Sequence, residues 1–123
     1  MKAIIIEDEK RAANRLARVL KEVAPEIKII AMMESIKESV LFLEQNPELD
    51  VIFSDIQLSD GLSFDIYNQV SVNCPIIFTT AFNQYAINAF DTNGIDYILK
   101  PVENERIEKS ISKLKNLSTN KNF

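Results

Sequence analysis

Short apolar runs alternate along this chain with longer stretches whose apolar residues recur every three or four positions. The runs are Lys2 to Ile6, Ile27 to Met33, Val51 to Asp55, Pro75 to Thr80 and Ile95 to Leu99. Runs of this length between turn signals predict strands buried on both faces of a parallel sheet. The first intervening stretch carries Ala13, Leu16, Leu20 and Val23, spaced as one face of an amphipathic helix that Ala24-Pro25 stops. In the second, Ser35 and Glu38 form a capping-box pattern, Ile36, Val40 and Leu43 make the buried face, and Asn46-Pro47 ends the helix. A shorter helix is expected from about Ser63 to Val70, and Asn83 is an N-cap candidate for one ending at Asn93-Gly94. After Lys100-Pro101 breaks the fifth strand, Ile107, Ile111 and Leu114 mark the inward face of a last helix.

Strands alternating with helices imply an α/β fold, a parallel sheet covered on both faces by its crossover helices. A chain of 123 residues is one domain, and 46% hydrophobic with 26% charged residues is ordinary for a soluble globular protein. A net charge of -4 argues against nucleic-acid binding by this domain alone. The lone Cys74 has no partner for an internal disulfide and reads as a small packing residue. No apolar run approaches the roughly 20 residues of a membrane span, so no membrane is implied and a cytoplasmic location is the expectation.

The chemistry gathers at strand ends. In a parallel sheet the carboxyl ends share one edge, where open α/β sheets bind their ligands, so Glu7, Asp8, Asp55, Thr80 and Lys100 should converge there. Three carboxylates so close repel unless a cation neutralises them or one takes up a proton. An all-oxygen set suits Mg²⁺. With Lys100 as a fixed positive charge and Thr80 as a hydroxyl donor, the set fits phosphoryl transfer to an aspartate nucleophile, Asp55. Each residue also has a plainer role: Asp8 as a cap for the first helix, Glu7 as a solvated loop acid, Thr80 as a strand-end residue, Lys100 as a surface lysine. Their conjunction on one predicted edge carries the reading.

These residues resemble a known family. The pair Glu7-Asp8, Asp55 after an apolar strand, Thr80-Ala81 and Lys100-Pro101 stand in the order found in receiver domains of two-component response regulators. The runs from Thr80 to Ala86 and from Asp96 to Pro101 resemble receivers of the LytTR type, whose regulators carry a separate DNA-binding domain. The resemblance implies a single flavodoxin-like (CheY-like) domain with strand order 2-1-3-4-5. It implies that a sensor histidine kinase phosphorylates Asp55, and that Mg²⁺ is held by Asp8, Asp55 and the backbone carbonyl of Gln57, with Glu7 acting through water. Lys100 would pair with Asp55 and then with the phosphoryl group, Thr80 would swing to a phosphoryl oxygen, and Tyr97 would turn inward behind it. The Lys100-Pro101 bond would be cis. The fourth helix, fifth strand and last helix would form the output face, a possible homodimer surface.

Two departures stand out. Leu58-Ser59 replaces the proline usual in the loop after the acceptor, and the position two beyond Thr80 is the bulky Phe82. Phe82 and Gln57 together are expected to hinder hydrolysis of the acyl phosphate. The rival readings are a Mg²⁺-dependent aspartyl phosphatase of haloacid-dehalogenase type, a flavodoxin, and a receiver that is not phosphorylated. The first would want an aspartate where Gln57 stands, and Glu7-Asp8-Glu9 would repel a flavin phosphate. The receiver is expected over residues 1–117. Residues 118–123 read as a tail or a shortened linker to an effector domain, since four lysines and no acid lie from Lys109 onward.

Overall fold

The computed structural model describes residues 1–82 and 94–120. Five parallel strands form one sheet: β1 (Lys2–Ile6), β2 (Lys28–Met33), β3 (Val51–Asp55), β4 (Ile76–Thr80) and β5 (Gly94–Leu99), in the order β2-β1-β3-β4-β5. Four helices are described: α1 (Lys10–Val23), α2 (Ile36–Leu43), α3 (Phe64–Gln69) and α4 (Asn104–Asn120). The helix expected between Asn83 and Asn93 lies outside the described residues. Gly94 is the first residue of β5 and pairs with Ile76.

Every residue of β3 and β4 is buried, which is why both strands read as unbroken apolar runs. Alternate side chains feed two separate cores. Ala3, Ile5, Phe53 and Ile77 pack with Leu16 and Leu20 of α1 and with Ile107, Ile111 and Leu114 of α4. Ile4, Ile6, Ile52 and Phe78 pack with Ile36 and Leu43 of α2 and with Phe64 and Ile66 of α3. Phe78 anchors the second core, with the rings of Phe64 and Tyr67 at 5.3 and 5.8 Å in tilted and edge-on contact. Such pairs add about 0.5–1.5 kcal/mol each beyond burial.

The helix faces differ from the periodicity in two places. Val19 is buried on α1 while Val23, its last residue, is only partly so; on α2, Ser39 is buried and Val40 partly exposed. The Ser39 hydroxyl escapes the cost of burial by donating to the Ser35 carbonyl at 2.7 Å. Asn46, just past α2, takes a φ of 58°, a left-handed turn that asparagine tolerates better than most residues. The Lys100–Pro101 bond is cis. α4 continues to Asn120.

Candidate functional site

The parallel register places the ends of β1, β3 and β4 level. Ile6 pairs with Ser54, and Asp55 pairs with Thr79, so Glu7, Asp55 and Thr80 emerge at one rim of the sheet. The Glu7 amide donates to the Met33 carbonyl at 2.9 Å, fixing where the acidic pair leaves β1. Lys100 arrives from the end of β5, its amide donating to the Thr80 carbonyl at 2.7 Å.

One carboxylate oxygen from each of Glu7, Asp8 and Asp55 lies within 4.8 Å of the others. Lys100 Nζ donates to Glu7 Oε1 at 2.5 Å and to Asp55 Oδ2 at 3.2 Å. Glu7 Oε2 accepts the Glu9 amide at 3.2 Å, so both Glu7 oxygens are engaged by the protein. Glu7 and Asp55 are each only 6% exposed. One lysine therefore faces three acids. Burial, with the Asp55 charge added, raises the Glu7 carboxyl above its ordinary value against the pull of Lys100. Burial and the neighbouring Glu7 raise Asp8. Burial would lower Lys100, but Glu7 and Asp55 outweigh it and hold the ammonium charged.

A cleft of about 660 Å³ opens onto this cluster, lined among others by Asp8, Asp55, Gln57, Thr80, Ala81 and Lys100. Thr80 is 1% exposed, and its hydroxyl oxygen accepts the Phe82 amide at 3.2 Å. The Phe82 carbonyl in turn accepts from the Tyr97 hydroxyl, so the two polar side chains meet on one residue's main chain. The Phe82 ring is 47% exposed, beside the cleft rather than among its lining residues. Glu9, not Asp8, holds the N-cap position of α1, and it makes no side-chain cap bond.

Three features escaped the sequence reading. Asp60 accepts the Ile36 and Lys37 amides at 2.9 and 3.3 Å, capping α2 from a distant loop while Ser35 Oγ accepts only the Glu38 amide, at 3.1 Å. Arg15 Nε donates to the Val102 carbonyl at 2.9 Å, tying α1 to the segment just past Pro101. Asp96, read only as part of a resemblance, is buried on β5 and gripped at both oxygens by Arg106 of α4, at 2.7 and 2.8 Å. A charge pattern can flag a helix cap or pair close in sequence, but these partners lie 24, 87 and 10 residues apart.

Among the described residues no helix is long and apolar enough to cross a membrane. The family model for the response regulator receiver domain matches residues 3–112. The chain is 38% identical over 118 residues to "Sensory transduction protein LytT" of Bacillus anthracis, covering 94% of this chain and 47% of that protein. It is 41% identical over 118 residues to "Transcriptional regulatory protein LytR" of Staphylococcus aureus (strain N315), again covering 94% and 47%. The chain thus spans about half the length of these curated relatives. Among solved structures, the response regulatory domain of mrkE from Klebsiella pneumoniae matches with a TM-score of 0.79 at 30% identity, covering 97% of this chain and 96% of that one. The receiver domain of AraT from Geobacillus stearothermophilus shares the fold, with a TM-score of 0.81 at 23% identity over 99% and 98% of the two chains.

Proposed function

From the premise that the chain belongs to the response regulator receiver domain family, the phosphoacceptor module of two-component signalling, we propose that Asp55 is the residue phosphorylated. The observation that carries this reading is the shortage of positive charge at the rim: among the described residues three carboxylates crowd together there, and Lys100 pairs with two of them, Glu7 and Asp55. A hard divalent cation fits the all-oxygen set of Asp8, Asp55 and the neighbouring Gln57 carbonyl, and Mg²⁺ is the ion we assign. Bound there, it supplies charge neutralisation for the incoming phosphoryl oxygens. Glu7, with both oxygens already taken by Lys100 and the Glu9 amide, acts through water.

In the transfer, an Asp55 carboxylate oxygen attacks the phosphorus of a kinase phosphohistidine. The P–N bond breaks, the imidazole leaves with its electron pair and is protonated, and an acyl phosphate forms on Asp55. Lys100 holds the attacking carboxylate at 3.2 Å beforehand and the new phosphoryl group afterwards. Thr80 exchanges the Phe82 amide for a phosphoryl oxygen, and because the Tyr97 hydroxyl rests on the Phe82 carbonyl, that exchange releases Tyr97 to move. Phosphorylation adds up to about two negative charges and three acceptors. Driving a switch from 1:99 to 99:1 takes about 5.5 kcal/mol, within reach of charge-assisted bonds from Lys100, Thr80 and the ion.

The longer relatives are named for sensory transduction and transcriptional regulation, and in keeping with those names we propose a sensor histidine kinase partner, a cytoplasmic setting and a DNA-binding output for the protein that carries this chain. Homodimerisation through the face containing β5 and α4 completes the proposal. Incubation with acetyl phosphate and Mg²⁺, followed by intact-mass measurement, tests it. One added phosphoryl group per chain that needs Mg²⁺ is the expected result; turnover of donor without a phosphorylated chain would point to a phosphatase instead.

A further inference from the structure

The loop that follows Asp55 is anchored in an unexpected place. Residues Gln57–Leu58 and Gly61–Leu62 pair as a two-residue antiparallel ladder, and the Ser63 amide closes its neck on the Ile56 carbonyl at 2.7 Å. The tip beyond that neck is held by α2. Asp60 spreads its two oxygens over the first two amides of that helix, Ile36 at 2.9 Å and Lys37 at 3.3 Å. These are among the amides that a helix leaves without internal partners, and the positive end of the helix dipole favours a carboxylate there. The two amides hold the Asp60 carboxyl below its ordinary value, so it stays ionised at neutral pH.

A second contact acts at the same point. Gly61 has a φ of +140°, and a Cβ on it would lie 3.1 Å from Ile36 Cδ1, so the loop's backbone rests directly against the first residue of α2. α2 itself follows β2, whose last carbonyl, Met33, accepts the Glu7 amide. The chain of contacts therefore runs from the acidic pair through Met33 and Ile36 to Asp60, and back along the loop to Gln57. Gln57, Leu58 and Leu62 line the same cleft as Asp8 and Asp55.

We propose that Asp60 is a positioning residue for the cation site: by clamping its loop to the start of α2 it keeps the Gln57 main chain at the distance from Asp8 and Asp55 at which one ion can be shared. This rests on the reading of the rim as a Mg²⁺ site given above. Asp60 touches neither the ion nor the phosphoryl group. Its effect is to remove the loop's freedom to swing away, so that binding does not have to order it. Residues that orient a metal's ligands typically affect affinity by about 10–100-fold, and one acting through a loop belongs at the lower end, about tenfold.

The test is a calorimetric Mg²⁺ titration of the 123-residue chain and of Asp60→Ala, Asp60→Asn and Gly61→Ala, each below its own melting temperature. Expected are about tenfold weaker Mg²⁺ binding for Asp60→Ala and partial recovery for Asp60→Asn, whose amide oxygen can still accept one helix amide. Faster hydrogen exchange at the Ile36 and Lys37 amides should accompany the loss. If Asp60→Ala melts earlier yet binds Mg²⁺ as tightly as the parent, Asp60 merely caps α2 and the proposal is wrong. Should Asp60→Ala fail to fold, the same comparison is read from Asp60→Asn and Gly61→Ala, and parental affinity in both overturns it. Absence of Mg²⁺ binding by the parent chain would instead remove the cation-site reading, and this inference with it.

Discussion

Two buried aspartates of this domain sit beside cations in differently balanced surroundings. At Asp96, every oxygen is served: Arg106 donates to both, the Tyr97 amide adds a bond at 2.9 Å and the Ser110 hydroxyl one at 2.5 Å. Burial alone would raise its carboxyl, but the Arg106 guanidinium, the Ser110 hydroxyl and the Tyr97 amide outweigh it and hold the group at about 2. At the rim, Asp55 shares one lysine with Glu7, Asp8 stands close by, and both Glu7 and Asp8 are pushed upward. The first arrangement is complete and serves to fasten α4 to β5. The second lacks positive charge, and a group left so unbalanced is where an ion and a phosphoryl group can bind with net gain. Burial of an acid says little about its role; the balance of charge around it says much more.

The comparison is broken most completely by Asp55→Asn, which should abolish phosphate incorporation from acetyl phosphate while leaving the far-ultraviolet dichroism of the fold unchanged. Arg106→Ala should do the reverse. Leaving Asp96 buried without its partner costs about 3 kcal/mol by urea unfolding, while Asp55 still accepts phosphate under native conditions. Mg²⁺ at a hundred times its dissociation constant should raise stability by about 2.7 kcal/mol in the parent. It should do so far less in Asp8→Asn, whose ion-free form gains stability from the lost repulsion.

Acid sharpens the contrast further. Asp96 is depressed from 3.8 to about 2, so its contribution is fully present above the unfolded value and is lost as pH falls through the folded one. That contribution is about 2 kcal/mol, and Asp96→Asn should flatten the stability curve between pH 4 and pH 2 by about that amount. Glu7 and Asp8 act with the opposite sign: their raised carboxyls cost stability as pH rises through their folded values, a loss that Mg²⁺ should cancel. The smallest effect is expected at Phe82→Ala. With its ring half-exposed beside the cleft, its removal should speed loss of phosphate only modestly, and an unchanged rate would remove its shielding role.

What sequence could and could not reveal follows the same divide. Strand runs such as Val51 to Asp55 were legible because burial on both faces leaves no polar position, and parallel topology then placed Glu7, Asp55, Thr80 and Lys100 at one rim. The cis bond before Pro101 followed from the family resemblance and not from the residue types. Asp60 lies in a turn, and its bonds to α2 depend on how a loop folds back over a helix 24 residues away, which no local pattern encodes. Likewise Asp96 and Arg106 meet only because β5 and α4 pack face to face. Val19 joins the core beside Leu16 and Leu20, and Val23, the last residue of α1, packs against it only partly buried.

The most direct test traps the acyl phosphate itself. After incubation with acetyl phosphate and Mg²⁺, borohydride reduction converts a phosphorylated aspartate to homoserine, and peptide mapping reads its position. The account predicts homoserine at position 55 alone, and none when Mg²⁺ is withheld. Homoserine at Asp8 or Asp96, or a chain phosphorylated equally well in Asp55→Asn, would contradict it.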